Sequence, residues 1–340
     1  MYINSIILFL VFSLILVIFS RKYNFLIDNK KEKHKKYTYN LKSYSVGGIL
    51  LISFILFYSA FFFNNFMFFI FLTSIFLIGL FSDLKKLNSV SLRFFLQIIT
   101  IIFFTNLLNI EINSTKLPLF DELLKYRFLN IIFVTFCLTV LLNGTNFIDG
   151  INGLTIKYYL IVYLIIFIFF QQFAIDHQFI KYLIPILLIL LLFNLFGFLY
   201  LGDSGAYLIS ILTGIFLIDV AFDNPAISPY FITILLWYPC FELLFSILRR
   251  LLKNNKTYKP DTNHLHQLIF TFIDKKFKLI NPLMTHFYSS LCINIFNLIS
   301  FLISLKFIYN STILITILFI NIIIYIFVFS ILIKLKLSSK

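Results

Sequence analysis

Four aspartates stand in short polar motifs that separate long apolar runs of the sequence. Asp83 lies in GLFSDLKK, Asp149 in NGTNFIDGINGL, Asp203 in LGDSGAY and Asp261 in PDTNHLHQ. A carboxylate at the centre of a membrane helix costs about 2.5–3.5 kcal/mol and less near an end, so these positions favour helix ends. Acidic residues in such a setting are candidate functional residues, although an ordinary charge at a helix end explains Asp83 equally well.

The second motif has the most informative spacing. Asn143, Asn146 and Asp149 are three residues apart, so on a helix their side chains share one face. Three side chains with acceptor oxygens on one face suit a nucleotide or a metal ion. Glycines follow them and allow a ligand to approach the backbone. The plainer interpretation is a polar helix cap followed by a glycine stop, but a cap needs only one such residue.

Asp203 stands in a tight turn between two apolar runs and has no basic partner in its loop. Mg²⁺ in proteins is typically held by one or two carboxylates together with substrate phosphates. Asp203 is therefore a candidate metal ligand, and the alternative is a simple Asp-Ser turn.

The fourth motif combines Arg249 and Arg250 with His264 and His266. A spacing of two favours an extended segment or loop for the histidines. A zinc site needs about four ligands, mostly Cys or His, and no cysteine lies near, so zinc is not expected. Imidazoles beside basic residues instead favour an anion site, although a solvated basic loop explains an isolated H-x-H equally well. Basic residues near the four motifs could bind phosphates in the same way: Lys33, His34, Lys85, Lys86, Arg249 and Arg250.

The elements that carry these motifs are predicted to be membrane helices. Of the 340 residues, 61% are hydrophobic and 12% are charged, about half the charged share of a soluble domain. Runs of roughly 20 apolar residues are typical of membrane helices, whereas barrel strands alternate over about ten positions. We predict an all-α, polytopic bundle of about 11 (10–11) helices, forming a single domain over 1–340. The spans are 3–20, 44–62, 66–82, 92–109, 128–143, 156–173, 180–200, 205–222, 230–248, 284–305 and 311–333.

The basic residues predict the orientation of these spans. If the N-terminus lies outside, 23 of the 28 Lys and Arg residues fall in segments on the inner side. Positive charge prefers the cytoplasmic side, which places the polar loops and the C-terminus there. The net charge of +14 is then largely topological and would attract anionic lipid, so a nucleic-acid partner is not expected. Acids for a metal and bases for phosphates at a bilayer surface indicate phosphoryl-type transfer.

The motifs resemble those of the polyprenyl-phosphate N-acetylhexosamine-1-phosphate transferases, relatives of the phospho-MurNAc-pentapeptide translocase. The resemblance covers most of the chain, from Asp28 to Gln267. Five stretches match in order: Lys33-His34 with Gly47-Gly48, the Asp83 segment, NGTNFIDGINGL, LGDSGAY and the His264–His266 loop. The implied reaction moves a sugar 1-phosphate from a UDP-sugar to polyprenyl (undecaprenyl) phosphate, releases UMP and initiates a lipid-linked glycan.

The resemblance also implies roles for individual residues. It implies Mg²⁺, with Mn²⁺ as the alternative, held by Asp203 and Asp83. Asp149 and Asn146 would contact the nucleotide, the histidines would lie near the pyrophosphate and sugar, and Asp83 near the lipid phosphate. The predicted catalytic residues are Asp83, Asp203, His264 and His266. The predicted substrate-binding residues are Lys33, His34, Asn143, Asn146, Asp149, Asn152, Arg249 and Asp261.

Three positions depart from the family pattern. Ser82 stands where the family usually has the first of two adjacent aspartates, which has been assigned as a base acting on the lipid phosphate. Asn152 and Phe198 replace a frequent aspartate and a frequent basic residue. The chemistry need not stop, because a phosphate monoester with a second pKa near 6 is largely dianionic at pH 7. Attack could proceed without a base, or Asp83 could act as one.

Several functions stay open at the level of sequence. The peptidoglycan translocase typically carries more histidines in the last motif than the His264 and His266 of this chain. The resemblance therefore favours a hexosamine-phosphate enzyme for O-antigen, lipopolysaccharide or another envelope polysaccharide in the inner (plasma) membrane. The translocase itself is the alternative. A transporter or flippase would place charges along a pathway within the membrane, and Glu242 is the main candidate for such a charge. An inactive relative is a third interpretation, motivated by Ser82. A homodimer is left open.

Overall fold

The computed structural model of the protein describes residues 2–27, 44–62, 66–170, 177–252, 263–277 and 281–338. These ranges are mainly helical, and their only β-structure consists of single bridges between Tyr44 and Ile27 and between Tyr44 and Leu199. The predicted all-α membrane bundle is confirmed. Three predicted site residues lie outside the described ranges: Lys33, His34 and Asp261.

The helices of the described ranges are numbered in chain order. They are α1 Tyr2–Tyr23, α2 Gly47–Phe62, α3 Phe66–Asp83, α4 Val90–Leu108, α5 Pro118–Leu124, α6 Arg127–Ile148, α7 Leu154–Phe169, α8 His177–Leu195, α9 Gly202–Asp223, α10 Pro229–Leu252, α11 Leu265–Phe277, α12 Pro282–Leu305 and α13 Ser311–Ser338. Nine helices of this part of the chain are long and apolar enough to cross a membrane: α1, α3, α4, α6, α8, α9, α10, α12 and α13. The shorter apolar helices α2 and α7 occupy the two remaining predicted spans.

Two helices were not predicted, and one of them corrects an expectation about the histidines. The short helix α5 begins at Pro118, and α11 begins at Leu265. His266 therefore lies in the first turn of a helix, so the extended conformation expected for it is wrong. His264 lies just before that helix.

Helix α9 forms the centre of the bundle, and most of its side chains are buried. It packs against α2, α3 and α6, and small residues let these helices approach closely. A Cβ atom at Gly48 or Gly79 would collide with Ser204 of α9. The N–H groups of Gly47 and Gly48 donate to the carbonyls of Tyr200 and Leu201, which fixes the start of α2 beside the start of α9.

A proline within α10 is accommodated by a neighbouring helix. Pro239 has no N–H, so it cannot bond to the carbonyl of Leu235 one turn earlier. The hydroxyl of Tyr158 on α7 donates to that carbonyl at 2.8 Å. A polar backbone group inside an apolar bundle is thereby satisfied, as the membrane interior requires.

Candidate active site

Asp83, at the end of α3, caps the beginning of α9. Its Oδ1 atom accepts the N–H of Asp203 at 2.9 Å, and its Oδ2 atom accepts the N–H of Ser204 at 3.1 Å and the Ser204 hydroxyl at 2.6 Å. The first N–H groups of a helix have no partner within it, and their partial positive charge favours a carboxylate. Gly202 permits this contact, because its φ is +76° and a Cβ atom there would lie 2.8 Å from Asp83 Oδ2.

Asp203 is bound on one side by Ser82 and Arg93. Its Oδ2 atom accepts the Ser82 hydroxyl at 2.6 Å and pairs with Arg93 Nη1 at 2.7 Å. The same arginine nitrogen also donates to the Ser82 hydroxyl oxygen. The side chains of Arg93 and Asp203 are 20% and 26% exposed, so the pair is partly accessible from outside the bundle. The Oδ1 atom of Asp203 accepts no hydrogen bond from the described residues.

The polar face of α6 lies beside this group. The amide of Asn143 donates to Gln97 of α4 at 3.0 Å, and Asn146 is half-buried on the same face. Asp149 directly follows the helix, and burial raises its pKa to about 8, with the charges of Asp203 and Asp83 adding to the rise. The three aspartates Asp83, Asp149 and Asp203 are therefore close enough for their charges to interact.

Asn152 lies in a different environment, turned into the bundle. Its backbone N–H donates to His286 Nδ1 at 3.2 Å, and its side-chain amide donates to the carbonyl of Asn194 at 2.9 Å. The side chain is buried, and the two contacts together tie the loop after Asp149 to α8 and α12. This geometry supports the loop, whereas substrate contact by Asn152 stays a prediction.

The two histidines stack beside the Asp149 loop. Their ring centroids are 5.6 Å apart with 11° between the planes, and His264 forms a T-shaped contact with Phe147. His266 is fully buried, and neither ring nitrogen has a hydrogen-bond partner among the described residues. Burial lowers the pKa of His266 to about 3, so the ring is neutral near pH 7. A Cβ atom at Gly150 would collide with His266 Nε2, so only glycine lets the Asp149 loop approach this ring.

Arg249 lies at the far side of the histidines. Its Nη1 atom donates to the carbonyl of Asn263 at 2.6 Å, directly before His264. Its guanidinium also lies 5.0 Å from the ring centroid of Phe329 on α13. Arg249 therefore holds the histidine segment against the bundle, and its contact with substrate stays a prediction.

Asp203 and Asp149 are better suited than Asp83 to bind a magnesium ion. No cluster of three or more His, Cys, Asp or Glu side chains arranged for a metal occurs within the described residues. Mg²⁺ does not need one, because it takes one or two carboxylates with water and substrate phosphates. Asp203 Oδ1 and the carboxylate of Asp149 fit that requirement. Asp83 fits it less well, because both of its oxygens accept hydrogen bonds from the start of α9.

Two residues that were not predicted from the sequence also lie at this site, Arg93 and Gln97. Arg93 is a basic residue in the first turn of α4, the helix after the first motif. Gln97, one turn further along α4, is buried and contacts Asn143. The spacing of four between Arg93 and Gln97 was the available signal, since it places both on one helix face.

Residues 65–221, somewhat under half of the chain, match the family model of glycosyl transferase family 4. The matched segment runs from α3 to α9 and includes Asp83, Asp149 and Asp203, but it ends before His264. It confirms the family resemblance expected from the motifs and supports a transferase that acts at a membrane with lipid and sugar-nucleotide partners. No curated protein matches the chain.

Proposed function

We propose that this chain, matched by glycosyl transferase family 4 across its central helices, transfers an N-acetylhexosamine 1-phosphate from a UDP-sugar to polyprenyl phosphate. The product would be a polyprenyl-diphospho-sugar that initiates an envelope glycan, and UMP would be released. One observation carries the proposal: Asp83, Asp149 and Asp203, from three separate helix ends, converge with Arg93 at one end of an apolar bundle.

The transfer step needs no reagent other than its two substrates. An oxygen of the lipid phosphate attacks the β-phosphorus of the UDP-sugar, and the bond from that phosphorus to the bridging oxygen breaks. The bridging oxygen leaves with UMP. Because the lipid phosphate is largely dianionic at pH 7, it needs no base at the position of Ser82. Catalysis in such transfers is mostly positioning and neutralisation of charge.

The side chains divide these tasks. Arg93 lies between Ser82 and Asp203 and can neutralise an incoming phosphate through its remaining N–H groups. Asp203 and Asp149 would hold Mg²⁺, which when bound would neutralise the diphosphate. Asp83 would position Asp203 through the start of α9. His264 would lie near the diphosphate and sugar, as the resemblance implies.

An apolar cavity supports a lipid substrate. It has a volume of about 590 Å³ and lies between α6, α9 and α10. Its lining extends from Val140 of α6 and Leu244 of α10 to Lys116 and Pro225, at the end of the bundle opposite Asp203. A polyprenyl chain is an apolar ligand of the kind that such a cavity would hold.

The contacts of Glu242 favour an enzyme over a transporter. This residue was the main charge that a transport pathway could use. Its Oε1 atom binds His264 and the N–H of Leu265, and its Oε2 atom binds the hydroxyl of Tyr325. Its charge thus serves the histidine segment. We further propose that the site end of the bundle faces the cytoplasm, because the basic segments lie on that side.

The test is release of UMP from a panel of radiolabelled UDP-sugars, starting with UDP-GlcNAc, by membranes that contain polyprenyl phosphate. Asp203→Asn should abolish release, because it removes the carboxylate proposed to hold the metal. Asp219→Asn, near the opposite end of the same helix, is the matched control and should behave like the wild type. Near-normal release by Asp203→Asn would exclude the metal role. Solute transport in liposomes without release from any UDP-sugar would establish the transporter instead.

A further inference from the structure

Glu242 is a buried carboxylate whose two oxygens face two different helices. It lies inside α10 and is 1% exposed. Its Oε1 atom lies 3.0 Å from His264 Nδ1 and accepts the N–H of Leu265 at 3.3 Å. Its Oε2 atom accepts the hydroxyl of Tyr325, on α13, at 2.8 Å. A charge in such a place persists only if it is paired and hydrogen-bonded, so each contact restricts the carboxylate.

The contact at Nδ1 determines the tautomer of the His264 ring. In a neutral imidazole, the partner of one nitrogen determines which nitrogen carries the proton. With Glu242 at Nδ1, the proton is held there and Nε2 is left as the acceptor. The ring is also fixed in place, since it stacks on His266 and makes a T-shaped contact with Phe147.

Tyr325 is held firmly enough to control the other carboxylate oxygen. It is 2% exposed, and its ring packs edge-on against Phe241 at 4.9 Å and Phe245 at 5.4 Å between centroids. The hydroxyl is thereby aimed at Oε2, which prevents the carboxylate from turning away from the imidazole. The family match ends at residue 221 and so assigns nothing to Glu242 or Tyr325.

We propose that Tyr325 is a positioning residue for the transfer reaction: it orients Glu242, and Glu242 orients the imidazole of His264 toward the substrate. Helix α13 would thus act on the site indirectly, through Glu242. This inference rests on the proposed function, because it requires His264 to act on a UDP-sugar substrate.

The test compares two Tyr→Phe variants of the full chain that each remove one buried hydroxyl. Tyr325→Phe removes the contact with Glu242. Tyr238→Phe is the matched control, because Tyr238 is 1% exposed and lies in the same aromatic cluster, 6.5 Å from Tyr325 between ring centroids. Within the described residues its hydroxyl has no hydrogen-bond partner.

Two quantities are measured for each purified variant: the stoichiometry and Kd of UDP-sugar binding, and kcat and KM of transfer per binding site. Tyr325→Phe should lower kcat about tenfold, equivalent to about 1.4 kcal/mol of transition-state stabilisation, while Kd, KM and stoichiometry stay within about twofold. Tyr238→Phe should stay within about twofold in every quantity. A merely structural role would lower the number of binding sites and leave kcat per site unchanged.

The possible outcomes distinguish the positioning role of Tyr325 from the proposed transfer activity. If the wild type transfers sugar phosphate and Tyr325→Phe has wild-type kcat per site, the positioning role is wrong and the proposed function stands. An equal loss in Tyr325→Phe and Tyr238→Phe also overturns the positioning role. If the wild type transfers nothing from any UDP-sugar, the proposed function itself is wrong.

Discussion

Replacement of Asp83 by asparagine tests whether this residue acts as a cap or as a base. The carboxylate accepts three hydrogen bonds from the start of α9, two from backbone N–H groups and one from the Ser204 hydroxyl. Asparagine has one acceptor oxygen and an NH₂ group that only donates. In either orientation of the amide, at least one backbone N–H of α9 loses its acceptor.

The size of the effect follows from these contacts. A hydrogen bond to a charged group contributes about 1.5–3 kcal/mol. A negative charge at a helix N-terminus adds about 0.3–1 kcal/mol. Burial and the nearby charge of Asp203 offset part of this gain, so Asp83→Asn should lower the free energy of unfolding by about 1–3 kcal/mol. Asp203 should also shift, because its backbone N–H is one of the groups that Asp83 holds.

Thermal unfolding of the detergent-purified protein measures this loss, with Asp149→Asn as the control. Asp83→Asn should unfold several degrees below the wild type. Asp149→Asn should unfold at the wild-type temperature or above it, because burial already disfavours the charge of Asp149, as its raised pKa indicates. An Asp83→Asn protein with wild-type stability and no transfer activity would refute the cap and favour a chemical role for this carboxylate.

Three further predictions concern the same site. Ser82→Asp should keep or raise UMP release, because Arg93 can pair with both carboxylates; complete loss would mean that the hydroxyl bonded to Asp203 is required. His266 should destabilise the fold as pH falls from about 6.5 toward 3, because the unfolded chain takes up a proton that the folded ring, with its pKa lowered to about 3, does not. Unfolding temperatures in acid should therefore fall less for His266→Gln than for the wild type, and equal slopes would contradict this. Gly150→Ala should lower kcat about 100-fold, since the added methyl group collides with His266 and small displacements in a site are costly; unchanged kcat would mean that the ring is not fixed.

Much of the architecture could be predicted because it depends on local composition. Long apolar runs can satisfy their backbone in a membrane only as helices, so the spans followed from hydropathy alone. The helices α5 and α11 were missed because they are short and carry polar residues. The start of α11 was missed for a second reason. A spacing of two between His264 and His266 does not distinguish an extended segment from the first turn of a helix.

The sequence by itself determined that this is a polytopic helical membrane protein with acidic motifs at helix ends, because each of those properties resides in one continuous segment. It also grouped four aspartates as candidate site residues, of which Asp261 lies outside the described residues. Only the tertiary structure decided what each group contacts: Asp83 at the start of α9, Arg93 on Asp203, and Glu242 between His264 and Tyr325. These contacts join residues from 22 to 121 positions apart. Side-chain packing between helices fixes such distances, and no local pattern in one helix encodes its neighbour.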